Sequence, residues 1–149
     1  MIQSEGLTTR QHILDDLKVF LEEVADDSGS PLFKQVELTR TAPPDLETIP
    51  LPACFIYSER EYRVEDERSV IGKETWEWYV ILEVFAIDEE LETILKFVHS
   101  KLYDHYQIND YASWAERMGV DFFVVDPTKQ LTSMAISYRI TYRHANGVM

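Results

Sequence analysis

Two helical hydrophobic stripes and a set of extended apolar segments point to an α+β domain with the element order α-β-β-β-α-(α)-β-β. The expected architecture is a mixed, largely antiparallel sheet of four to five strands, packed by two main helices over 8–26 and 89–106. With 149 residues, 45% of them apolar and 12% aromatic, the chain can bury a core of ordinary size as one domain spanning 1–149.

The first helix opens on Thr8-Thr9-Arg10-Gln11, a capping box in which a hydroxyl precedes Gln11 by three residues. Ile13, Leu14, Leu17, Phe20, Leu21 and Val24 then recur at helical spacing, and Asp27-Ser28-Gly29-Ser30-Pro31 stops the helix. An extended pattern follows over 33–41, with Val36 and Leu38 alternating against polar neighbours. Pro43, Pro44, Pro50 and Pro52 cannot donate ladder hydrogen bonds, so 42–52 reads as an irregular connection. Residues 53–57 are apolar and β-prone, and 58–64 are charged. The segment 74–87 carries Trp76, Trp78, Val80, Leu82 and Val84 on one face and Tyr79, Ile81, Phe85 and Ile87 on the other, which predicts a central strand covered on both sides.

Asp88 can cap the second helix, with Glu89 and Glu90 at the positive end of its dipole and Leu91, Ile94, Leu95, Val98 and Leu102 as its buried stripe. A shorter helix is expected over 111–117, capped by Asp110 and closed by Gly119. Strands over 120–125 and 131–142, joined by a turn at 126–130, complete the order.

Composition and motifs narrow the function. Acidic residues number 27 against 14 basic, a net charge of −13 that repels a phosphate backbone and argues against a nucleic-acid-binding domain. The apolar runs fall far short of a membrane span, and residues 1–10 hold no secretory leader pattern, so a cytoplasmic chain with no membrane partner is expected. Cys54, the single cysteine, excludes an internal disulfide and reads as a buried apolar group within a β run. His12, His99, His105 and His144 form no i, i+4 pair and no His-Glu-x-x-His motif. His99 and His105 are six apart on one helix and fall on different faces. Glycines at 6, 29, 72, 119 and 147 are too scattered for a phosphate loop, and no Gly-x-Ser-x-Gly elbow occurs. No catalytic residue, metal or cofactor is therefore expected.

One enzymatic alternative survives. Asp121 and Asp126 flank a strand and Lys129 follows, so a small metal-dependent hydrolase or nuclease could draw on those carboxylates. Such sites want an acidic residue and a lysine two apart on a strand, whereas Asp126 and Lys129 are three apart across turn chemistry. The aromatics Trp76, Trp78, Tyr79, Tyr138 and Tyr142 could line a ligand cleft, but strand spacing favours core and cross-strand packing.

Residues 60–74 form a charged, extended hairpin longer than a turn needs. Arg63, Glu65, Asp66, Glu67 and Arg68 precede Val70 and Ile71, two apolar groups that a free loop would leave in water. One reading is a solvated tip whose charges guard an edge. The other is a contact arm for a neighbouring subunit.

The whole chain resembles the tail terminator, or tail completion, proteins of tailed bacteriophages. The likeness lies in an opening amphipathic helix, a Leu-Pro-x-x-x-Ile strand at Leu51-Pro52-Ala53-Cys54-Phe55-Ile56, and the central strand Trp78-Tyr79-Val80-Ile81-Leu82-Glu83-Val84. It continues through the stripe from Leu91 to Leu102 and the final strand Ala135-Ile136-Ser137-Tyr138-Arg139-Ile140-Thr141-Tyr142. The resemblance implies a structural virion protein, assembled in the host cytoplasm, whose homohexameric ring caps the tail tube, stops its polymerisation and docks the neck connector. DNA would pass through the ring without specific binding. A head-closure or sheath-attachment protein is the neighbouring alternative. The resemblance transfers no functional residue, because such proteins act through surfaces; the residues read as an interface are those of the charged hairpin.

Overall fold

The computed structural model describes residues 9–38, 48–64, 73–106 and 112–145. Helix α1 (Thr9–Glu23) leads to β1 (Gln35–Leu38), β2 (Ala53–Val64) and β3 (Lys73–Ile87). A 3₁₀ turn at Asp88–Glu90 opens α2 (Leu91–Tyr106), and β4 (Ala112–Asp126) and β5 (Leu131–Ala145) follow. The sheet runs β1-β2-β3-β5-β4, parallel between β1 and β2 and antiparallel elsewhere. This is the expected α+β class, with β3 at the centre.

The period-2 pattern of β3 and β5 builds the floor of the core. Trp78, Val80, Leu82 and Val84 lie beside Ile140, Tyr138, Ile136 and Met134, and all are buried. Ile13, Leu17 and Leu21 of α1, with Leu91, Ile94, Val98 and Leu102 of α2, join the same buried cluster. Each fully buried side chain of this size contributes about 1.5–3 kcal/mol by leaving water. Two polar groups drawn into the layer find partners, as Trp78 Nε1 donates to Ser58 Oγ at 2.8 Å and the Tyr142 hydroxyl donates to Glu61, whereas the buried Tyr138 hydroxyl has no hydrogen-bond partner among the described residues. Arg10 of α1 reaches the same Glu61 carboxylate at 3.7 Å.

The opposite face of β3 is covered only in part, unlike the expectation of full cover on both sides. Phe55 and Phe85 meet edge to face at 5.7 Å and form a small cluster with Ala53 and with Ile49 and Leu51 of the proline-rich connection. Farther along that face, Tyr79, Ile81 and Glu83 are half-buried, and among the described residues no helix crosses there.

Several boundaries differ from the sequence reading. α1 ends at Glu23, and a tight loop follows in which Asp26 Oδ1 accepts from Ser28 N and Ser30 N at 2.9 and 3.0 Å. Gly29 takes φ +87°, a left-handed value that favours glycine there. The larger correction concerns 111–117, expected as a short helix: from Ala112 onward it belongs to β4. Gly119 pairs with Ser137 inside the strand and closes no helix. Register shifts at 112/114 and 117/119 each insert an extra residue and break the period-2 pattern of the strand. β2 also runs on through 58–64, because β3 offers ladder partners as far as Thr75, with one shift between Ser58 and Arg60.

Leu82 is 1% exposed at the centre of the floor, whereas Val19 on α1 is 50% exposed. Leu82→Ala should therefore cost about 2–5 kcal/mol in urea unfolding, while Val19→Ala should change stability by less than about 0.5 kcal/mol.

Candidate functional site

The sheet has two unlike edges. β1 offers four residues, whereas β4 offers fifteen, and among the described residues no strand pairs with the outer side of β4. A long edge with free N–H and C=O groups is a template for another strand unless charge, bulges or cover blunt it.

β4 is held in place by its hairpin with β5. Asp126 Oδ1 accepts from Thr128 N at 3.0 Å and Lys129 N at 3.4 Å, and Gln130 closes the turn at φ +54°. The Asp88 N–H donates to Gln130 O at 2.9 Å, which ties the turn to the start of α2. Register shifts at 117/119 and 124/126 bracket residues 119–124, six residues that pair one-to-one with β5. Within that run Val120, Phe122 and Val124 share the helix-side face with Ile136, Met134 and Thr132, while Asp121 and Phe123 share the other with Ala135 and Ser133.

Apolar side chains crowd this edge on both faces. Val120 packs against the core, but Phe122, Phe123 and Val124 are 49%, 56% and 72% exposed, and Met118 and Val125 at the bulges are exposed as well. Together they leave apolar surface exposed on both faces of one edge, the kind of exposure that marks an interaction site when it clusters. On the helix side, Phe122 and Val124 border an open groove of about 510 Å³ that runs to Asp88, Leu91 and Glu92 at the start of α2 and to Leu131 and Thr132. Its charged lining residues, Asp88 and Glu92, are both acidic.

Of the residues singled out from the sequence, Asp121 lies within this edge and Asp126 at its end. Arg63 lies on β2 opposite Trp76; Glu65, Asp66, Glu67, Arg68, Val70 and Ile71 lie outside the described residues. Asp121 is exposed, and Asp126 spends its carboxylate on the turn. His99 is half-buried on α2, His12 lies on α1, His105 on α2 and His144 on β5. Among the described residues, no three His, Cys, Asp or Glu side chains are grouped to hold a metal. Cys54 is fully buried, and burial with the nearby Glu83 charge pushes its thiol far above the usual range. Burial likewise raises the Tyr57 phenol to about 12, aided by the Glu83 charge and by the 3.1 Å bond it donates to Glu83. Trp78 and Tyr142 pack edge to face at 6.4 Å, so those aromatics serve the core. On the face away from the helices Arg139 holds Glu116 at 2.6 Å and Glu77 at 4.0 Å, an ion-pair row across three strands.

Neither the protein-family models nor the curated proteins compared with this chain give a match.

Desolvation first, then the Arg117 charge, lowers the His99 pKa. Because the folded state favours neutral imidazole, the stability this supplies is fully present above the ordinary value of about 6.5 and is lost as pH falls through the folded value. NMR titration should show a His99 midpoint below 6.5, moving partway back in Arg117→Ala. A midpoint at or above 6.5 in the unaltered protein contradicts this description.

Proposed function

We propose that the protein is a structural assembly subunit of the kind its sequence resembles: a ring of six copies that caps a phage tail tube and joins it to the neck. The observation that carries this reading is the open β4 edge. A fifteen-residue edge strand with apolar side chains on both faces is a liability in a lone chain and an asset in a subunit that is covered on assembly.

A capping ring needs two kinds of surface, one for its own copies and one for the neighbouring structure. The charged hairpin with Arg63, Glu65, Asp66, Glu67, Arg68, Val70 and Ile71 supplies the contact between copies, and the β4 edge faces the neighbour. A contact from a hairpin to a different patch on the next copy is heterologous, and heterologous contacts close into rings when the rotation allows. The net charge of −13 suits a lumen through which DNA slides without adhering.

Like-charged copies repel, so association should strengthen as salt shortens the screening length toward about 8 Å at physiological ionic strength and further above it. Light scattering across a salt series should show mass rising toward six copies. Shortening residues 64–73 to a tight turn should remove that rise while circular dichroism stays unchanged. A shortened variant that associates normally would return the hairpin to a solvated loop and overturn the ring contact proposed for it.

A further inference from the structure

We propose that the outer side of β4 at residues 119–124 takes a cationic, extended segment of a second protein as an added strand. This rests on the assembly reading above and names the chemistry of the partner at its open edge.

The backbone sets the length. Register shifts bend the strand at both ends of 119–124, so an added strand finds about six residues of regular edge. The side chains set the pattern. On the helix side Phe122 and Val124 present apolar surface, with Glu92 and Asp88 across the groove behind them. A lysine or arginine there lays its aliphatic stem on Phe122 and Leu131 while its head meets the carboxylates. On the other face Asp121 stands exposed beside Phe123, which calls for a second basic group flanked by an apolar one.

Charge also selects against a second copy in this place. Antiparallel pairing of two copies about Asp121 would set carboxylate against carboxylate, and pairing about Phe122 or Phe123 would set each Asp121 against an apolar residue of the other copy, at position 123 or 125. A basic strand meets neither conflict.

The test uses the full chain and two fluorescent seven-residue peptides, Lys-Lys-Val-Val-Lys-Lys-Val, which presents lysine and valine on both faces of a strand, and the same sequence with glutamate in place of lysine. Anisotropy should show the lysine peptide bound roughly tenfold or more tighter, with the difference shrinking as salt rises. Phe122→Ser should abolish binding, and Asp121→Asn with Glu92→Gln should erase the preference while the melting temperature stays unchanged. Equal binding of both peptides, binding of neither, or lysine-peptide binding undiminished in both variants overturns the proposal. If light scattering instead finds a dimer that Phe122→Ser dissolves and that no peptide displaces, the edge belongs to a second copy and the proposal also fails. Peptide binding is read on single chains, so a failure to form rings would leave this result standing.

Discussion

Everything in the fold depends on β3 being paired along both of its sides. It matches β5 residue for residue over Lys73–Ile87 and β2 over nearly the same length. That double pairing aligns Trp78, Val80, Leu82 and Val84 with the inward residues of β5 in one apolar floor, on which both helices rest. A slip of one residue would turn that floor outward, so burial and register enforce each other.

The same arrangement produces the inequality between the sheet's edges. β2 lies on one side of β3 and is capped by the short parallel strand β1, against which α1 packs. β5 lies on the other side and carries β4 as its long outer neighbour. Helix α1 lies nearest β1 and α2 nearest β4, and α2 begins at Leu91 near the C-terminal part of β4, leaving a groove between its first turn and Phe122. Acidic residues at the start of α2 suit the positive end of its dipole. They also give the groove its sign.

Much of this was legible in the residues. The stripe Ile13, Leu17, Leu21 and the double alternation of 74–87 named a helix and a central strand because burial and periodicity agreed there. Core readings of Cys54, Trp78 and Tyr142 followed from the same agreement. β4 is less legible for a physical reason: bulges break period 2, and Asp110 and Gly119 then resemble the cap and stop of a short helix. The apolar run Phe122-Phe123-Val124-Val125 was a usable signal, since four such residues in a strand load both faces. It was read as ordinary strand because sequence cannot say which strand ends at an edge. Strand order is a long-range property, decided here by which segments pair with β5 and β3.

Hydrogen exchange on the free protein, resolved to single amides, tests the central claim most directly. Amides of β3, bonded on both sides and buried, should exchange slowest. Within 119–124, amides facing away from β5 should exchange orders of magnitude faster than their β3 counterparts. Protection throughout 119–124 equal to that of β3 would mean the edge is already covered, and would contradict the account.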